Sequence, residues 1–278
     1  MGLPLNKSFH VEKLTETNSK GMSHTHFHNY YEIYCLTGGN RRYFINHTLY
    51  DIVPCDVILV NKGDIHQSQP IKADNRYERY LITFSDQFLD GLGSEFDKEF
   101  LLKSFEKKKI HIQEPMWHSF HTLLNKAASK IHQNDEYSQY LSKLVILEIL
   151  VNLSKFSDAN TSALLGDLTA YDERIQDVCR YICNYYNKPI SLEQMSKIAF
   201  MSPTYFSKKF KRVTGLGFNE YLNNVRIKMA TDLLMETQCS ITEIANFCGY
   251  QDSNYFGDVF KKIIGISPNK YRKEHYAI

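Results

Sequence analysis

The chain has 278 residues, 43% of them hydrophobic, and its 33 Lys and Arg nearly balance 31 Asp and Glu, for a net charge of +2. That length and apolar content suit a soluble protein of two domains with real cores. Neither a signal peptide nor a membrane span is expected, because the N-terminus lacks a basic segment leading into an apolar core of ~7–15 residues and every apolar run is short, so the expected location is cytoplasmic. The six cysteines include no CxxC pair, which fits reduced thiols better than disulfides or zinc.

Residues 25–84 are rich in Tyr, Ile, Val and Phe, with turn signals at Gly38-Gly39, Asn46, Pro54 and Asn61-Lys62-Gly63-Asp64. Short strands at this spacing predict a small β-barrel or sandwich. After Pro115, Met116, Phe120, Leu123, Leu124 and Ala127 follow helical spacing, as do Leu141, Leu144, Val145, Ile149 and Val151, predicting two helices that cover the sheet. The second helix also carries Leu147, Leu150 and Leu153, more apolar surface than one face can bury. Contact with another subunit and burial in its own domain both account for it. From 157 to 170 the text turns to Ser, Asp, Ala, Asn, Thr and Gly without periodicity, which predicts a linker between a first domain at 1–156 and a second at 171–278.

In the second part a helix is expected from an Asp172 N-cap, with Ile175, Val178, Cys179, Ile182 and Tyr186 on one face and Pro189 ending it. A unit is then used twice at an offset of fifty residues: Tyr205-Phe206 recurs as Tyr255-Phe256, Phe210-Lys211-Arg212 as Phe260-Lys261-Lys262, and Gly215 as Gly265. Each copy reads as a helix-turn-helix, at about 191–213 and 240–263. In the first, Ser202 caps a helix opened by Pro203, with Phe206, Phe210 and Val213 inward and Thr204, Ser207, Lys208 and Lys211 outward. In the second, Tyr255, Phe256, Val259 and Phe260 are expected inward, with Ser253, Asn254, Gly257 and Lys261 outward. A long helix from Phe218 to Met235 would space the two units. From Tyr171 onward 15 Lys and Arg stand against 11 Asp and Glu, and Lys208, Lys209, Lys211 and Arg212 crowd together without an acid, the footprint of phosphate contacts. These features predict a reader of double-stranded DNA.

The run Ser240-Ile-Thr-Glu-Ile-Ala245, Cys248-Gly-Tyr250, Tyr255-Phe256, Phe260-Lys261-Lys262, Gly265-Ile-Ser-Pro268 and Tyr271-Arg272 resembles the signature of the AraC/XylS transcription regulators. The resemblance covers about Asp172 to Lys273. It implies an α+β two-domain protein, with an N-terminal cupin-like barrel that senses an effector and a C-terminal seven-helix domain holding two helix-turn-helix motifs. It places base-facing positions on Thr204, Ser207 and Lys208, and on Ser253, Asn254, Gly257 and Asp258. With Ser202, Tyr205, Lys211, Arg212 and Lys261 these complete the expected DNA-contact set. Family members often carry a basic residue where this chain has Asp258, a carboxylate that phosphate repels unless it accepts from a cytosine amino group, so weaker binding by the second unit is expected.

In the first domain, His26-x-His28 on a strand points both imidazoles one way, with Glu32 on the same face and His66 past the turn. Gly21, His26, His28, Glu32, Gly38, Asn61-Lys62-Gly63 and His66 also resemble cupin motifs. Two readings stay open: these residues line an effector pocket, or His26, His28, Glu32 and His66 hold a metal, in a cupin enzyme or a metal sensor fused to a DNA reader. The resemblance implies the first, with a small effector, commonly a sugar, no resident cofactor and no catalysis. His26, His28, Glu32, Tyr34, Arg42, Tyr43, His66 and Tyr80 form the expected pocket set. His24 is expected outside it, and the first ~20 residues are an arm over the pocket or a tail. The implied partners are promoter DNA, the effector, a second copy in a homodimer and, for an activator, RNA polymerase.

Overall fold

Strict alternation of side chains along short strands builds two antiparallel sheets that face each other. The computed structural model describes residues 8–16, 25–71, 76–130, 135–159 and 170–275. The larger sheet contains β1 (Phe9–Glu16), β7 (Tyr77–Phe84), β2 (Tyr31–Gly38), β5 (Asp56–Val60) and β8 (Lys109–His111), in that order. The smaller one contains β4 (Thr48–Ile52), β3 (Arg41–Ile45) and β6 (His66–Pro70). Between them lies a core of Tyr34, Leu36, Tyr43, Ile45, Ile52, Ile58, Val60, Tyr77 and Leu81. At the β2–β3 turn only glycine fits: Gly39 has φ +78°, and an added Cβ would lie 2.3 Å from the Arg76 carbonyl oxygen. Part of the segment expected to be an arm or tail is β1, an edge strand paired with β7 from Phe9↔Phe84 onward.

The outer face of the larger sheet, with Ile33, Cys35, Leu59, Tyr80 and Ile82, packs on α3 (Met116–Lys130) and α4 (Glu136–Ala159). Both covering helices are present, but the faces of α4 differ from expectation. Val145, Ile146, Ile149, Leu150 and Leu153 are buried inside the domain, whereas Tyr137, Tyr140, Leu141, Leu144 and Val151 form an exposed apolar stripe. Two short helices, α1 (Asp86–Asp90) and α2 (Lys98–Leu102), add Phe88, Leu89 and Leu101 to the same core. The expected linker is helical in α4 as far as Ala159 and again at Ala170, where α5 begins, and residues 160–169, like Gly21 and His24, lie outside the described residues.

The C-terminal domain has seven helices among the described residues: α5 (Ala170–Tyr185), α6 (Leu192–Ile198), α7 (Pro203–Thr214), α8 (Phe218–Glu236), α9 (Ile241–Phe247), α10 (Ser253–Ile264) and α11 (Pro268–His275). The first starts two residues before the expected Asp172 cap. They bury two cores, one around Phe206, Phe210, Phe218 and Tyr221, the other around Ile244, Cys248, Phe256 and Phe260. α8 serves both, giving Leu222 and Val225 to the first and Ile227, Ala230 and Leu234 to the second. No described helix is long and apolar enough to cross a membrane. All six cysteines are free thiols, and burial raises Cys35, Cys179 and Cys248 well above the usual thiol range.

The two domains share a core. Phe44, Leu49 and Ile65, on the outer face of the smaller sheet, belong to the same cluster as Phe210 and Tyr221. The Tyr221 hydroxyl donates to the Asn46 carbonyl, and Thr25 Oγ1 donates to the Thr214 carbonyl at 2.6 Å. Gln67 lies against the left-handed residue that ends α7, Gly215 (φ +78°), where an added Cβ would come within 1.7 Å of its Oε1. Gly265, which ends α10 with φ +91°, has nothing within 4 Å of the same position. Gly265→Ala should therefore cost only the left-handed strain of about 1–2 kcal/mol. Gly215→Ala should cost about 1 kcal/mol more, because it displaces Gln67 from its bonds to Thr25 and Gln69. Urea unfolding midpoints of the two variants measure the difference.

Candidate nucleic-acid interface and effector site

The two recognition helices are built by matching local chemistry. In α7, Ser202 accepts from the Tyr205 N–H, Pro203 opens the helix, and the Gly215 N–H closes it on the Lys211 carbonyl. In α10, Asp252 accepts from the Asn254 and Tyr255 N–H groups and Gly265 closes on Lys261. Thr204, Ser207, Lys208, Lys211 and Arg212 are exposed on α7, and Leu192, Pro203, Thr204, Ser207 and Lys208 line an open groove there. Ser202 and Tyr205 are exposed as well. On α10, Asn254, Asp258 and Lys261 are exposed, with Ser253 and Gly257 half-buried.

Two residues depart from expectation. Lys209 is buried, 5% exposed, because it follows Phe206 by three positions and shares its inward stripe. Tyr255, expected in the core, is 54% exposed, since Phe256, Val259 and Phe260 already define the buried face. It matches Tyr205, exposed at the same place in the first unit.

Inside the barrel, alternation decides which residues meet. Glu32 and Tyr34 of β2, Tyr43 of β3 and His66 of β6 turn inward, and His26 and His28 join them from the segment before β2. The Tyr43 hydroxyl donates to Glu32 Oε1 at 2.8 Å, and the Tyr34 and Tyr43 rings meet edge to face at 5.1 Å. Two expected members lie elsewhere. Arg42 points out of the barrel and forms an ion pair with Asp51 across the β3–β4 pair. The Tyr80 hydroxyl donates to Asn125 of α3 at 2.5 Å, on the helix-covered face.

In their place stand Arg41, Ser68, Arg79 and Thr83, which the sequence reading missed. Arg41 is fully buried, donates from Nε to Ser68 Oγ at 3.0 Å, and lies 4.2 Å from the centre of the Tyr77 ring. Arg79 lies over Tyr34 at 5.4 Å. Arg41 Nη1, Arg79 Nη1 and Thr83 Oγ1 are buried and make no hydrogen bond among the described residues. The missed signal was parity, since Arg41 is two residues from Tyr43 and Arg79 two from Leu81.

Burial is the largest influence on Glu32 and raises its pKa, but contact with His28, the His66 and His28 charges and the Tyr43 hydroxyl outweigh it and hold the carboxyl at about 2. Burial depresses His66 to about 3, so at neutral pH its ring is uncharged beside an ionised carboxylate.

The AraC-like ligand binding domain profile matches residues 17–145, and a helix-turn-helix domain profile matches 195–274. The chain belongs to the AraC family of transcription regulators. It is a DNA-binding regulator with a ligand-binding domain, in the two-domain fold of the AraC family. Among its relatives is the transcriptional activator RhaR of Mannheimia succiniciproducens, 24% identical over 250 residues, 89% of this chain and 86% of that one. The regulator YijO of Escherichia coli is 36% identical over 105 residues, 38% of this chain and 36% of its own length. Fatty-acid-bound ToxT of Vibrio cholerae aligns over 96% of this chain and 95% of its own at 18% identity, with a TM-score of 0.41.

One member of the AraC-family recognition helix has a clean test. An added Cβ at Gly257 meets nothing within 4 Å, so Gly257→Ala should stabilise α10 by about 0.5–1 kcal/mol. If bases approach this backbone, operator affinity should fall despite that gain, which fluorescence anisotropy on labelled duplex would show.

Proposed function

We propose that this regulator binds promoter DNA as a homodimer in a sequence-specific way, and that a carbohydrate bound inside the barrel changes its occupancy. The observation that carries the effector reading is the set of buried polar atoms inside the barrel without partners among the described residues, Arg41 Nη1, Arg79 Nη1 and Thr83 Oγ1, flanked by the Tyr34, Tyr43 and Tyr77 rings. Buried donors beside aromatic faces are what a polyhydroxylated ligand requires, and left unpaired each costs about 1–3 kcal/mol. Glu32 and His66 extend the same polar lining. The sensing domain runs through the end of α4 and the DNA-binding domain begins with α5. RhaR is a transcriptional activator; by likeness this chain activates, with RNA polymerase as its partner.

DNA contact is assigned to Ser202, Thr204, Tyr205, Ser207, Lys208, Lys211 and Arg212 in the first unit, and to Ser253, Asn254, Gly257, Asp258 and Lys261 in the second. The 19 residues of α8 form a rod of about 28 Å between the units, close to the ~34 Å that separates successive major grooves on one face of a duplex. The test is binding of the full chain to its upstream intergenic DNA across a salt series, with and without a panel of sugars. Lys208→Ala should weaken binding and reduce the slope of log affinity against log salt by about 1. A sugar that shifts affinity at constant salt identifies the effector class, and none doing so overturns the carbohydrate reading.

The homodimer reading rests on the exposed stripe of α4, where Leu144 is 60% exposed and Tyr137, Leu141 and Val151 continue the same side. Leu144→Glu touches no core residue of the domain, so it should leave the thermal midpoint within a few degrees while shifting sedimentation from dimer to monomer.

A further inference from the structure

Charge is distributed unevenly along the barrel interior, and the imbalance narrows the class of effector. Pairing sets Glu32 opposite Thr83 and Leu36 opposite Arg79 on β2 and β7, and Ile45 opposite His66 and Arg41 opposite Pro70 on β3 and β6. Glu32 and His66 therefore stand at one end of these strands and Arg41 and Arg79 at the other, four residues or roughly 13 Å away along the backbone. Tyr34 and Tyr43 lie between the two ends. The acidic end has its partners, since Glu32 Oε1 accepts from the Tyr43 hydroxyl and Oε2 pairs with His28 Nε2 at 3.4 Å.

The basic end is not matched. Arg41 is fully buried, and its Nε and Nη2 donate to the hydroxyl and the carbonyl of Ser68, both neutral acceptors, at 3.0 and 3.2 Å. It makes no ion pair among the described residues. Arg79 is buried as well, and its Nη2 lies 3.7 Å from the partly exposed carboxylate of Glu12, longer than a charge-assisted hydrogen bond. On each guanidinium Nη1 is buried and makes no hydrogen bond among the described residues. The two groups converge on the same aromatic rings. Arg41 stacks over Tyr77 and Arg79 over Tyr34. Burial pushes the Tyr34 hydroxyl up to about 12, and the charges of both guanidiniums oppose that rise.

A guanidinium keeps its proton inside a protein, so a buried one has to be answered by an anion. Two cations and one carboxylate leave a single positive charge over. A neutral sugar brings oxygens but no charge, and a phosphate monoester brings about −1.5 to −2. A carboxylate brings one negative charge, in a plane that fits the guanidinium fork. At the far end Glu32 repels an anion and accepts from hydroxyl groups, beside the unpartnered Thr83 Oγ1. We propose that the effector is an acidic sugar, an aldonate or uronate, whose carboxylate is held by Arg41 and Arg79 and whose hydroxyl groups face Glu32 and Thr83. This rests on the reading of the barrel as a carbohydrate site and adds to it the ligand's charge and its orientation.

The test titrates the full-length chain by isothermal titration calorimetry with gluconate, glucuronate and galacturonate, with the neutral parents glucose and galactose, with glucose 6-phosphate, and with hexanoate, an acid without hydroxyl groups. A sugar acid should bind about tenfold or more tightly than its neutral parent. Arg41→Met should remove that preference, and Arg79→Gln should reduce it in the same direction. Arg41→Met also has a readout that needs no ligand. It replaces a buried cation that has no anion beside it with an apolar chain of similar length, so the ligand-free variant should unfold at the same temperature as the parent or higher. Neutral sugars that bind as tightly as their acids would overturn the proposal and leave the carbohydrate reading standing, as would an acid preference that survives in both variants. Tighter binding of glucose 6-phosphate would replace the carboxylate with a phosphate. Hexanoate binding as tightly as every sugar acid would overturn the carbohydrate reading and keep the arginine pair as an anion site. Binding by none of the probes, with a lowered thermal midpoint in Arg41→Met, would make the arginine structural and overturn both.

Discussion

The outward face of the small β4–β3–β6 sheet is apolar, and it is buried against the DNA-binding domain. Phe44, Leu49 and Ile65 complete the core that Phe206, Phe210 and Tyr221 begin, so the first helix-turn-helix is finished by residues of the sensing domain. Burial of a side chain such as Phe44 is worth about 1.5–3 kcal/mol, and three of them outweigh any of the polar contacts around the rim. Separation of the domains would expose both halves of this cluster. The same sheet is lined on its inner face by Arg41, Tyr43, His66 and Ser68, so one layer of backbone separates the barrel interior from the base of a recognition helix.

Ligand control requires two arrangements of the chain that bind the ligand with different affinity. A group that binds between the sheets acts on strands whose opposite faces are already part of the DNA-binding domain. The register of β3 sends Arg41 and Tyr43 one way and Phe44 the other, so a shift of the strand is felt on both sides at once.

Much of the fold was legible because it is written in local periodicity. The duplicated caps and glycines of α7 and α10, the helical spacing of α3 and the alternating strands all depend on near neighbours. Some errors contradict the same rules. Arg42 and Tyr43 are consecutive in a strand and cannot both face a pocket, and Tyr80 has the opposite parity to Arg79 and Leu81. Lys209 and Tyr255 are likewise placed by the spacing of Phe206, Phe210, Phe256 and Phe260. The α4 faces were not legible, since Leu, Ile and Val occupy nearly every side of that helix and only the sheet beneath decides which are covered. Nor was the domain junction, because nothing local links Asn46 to Tyr221 across 175 positions.

The sharing of α8 between two cores has a consequence for how this chain can be divided. Its first half is packed by α5, α6 and α7 and its second half by α9, α10 and α11, and the helix runs unbroken from one to the other through Arg226. Cutting the chain after the first helix-turn-helix would leave half of a continuous helix without its apolar cover. The two motifs, although alike in sequence, therefore constitute one cooperative folding unit. Duplication has made them symmetric as readers and inseparable as pieces of protein.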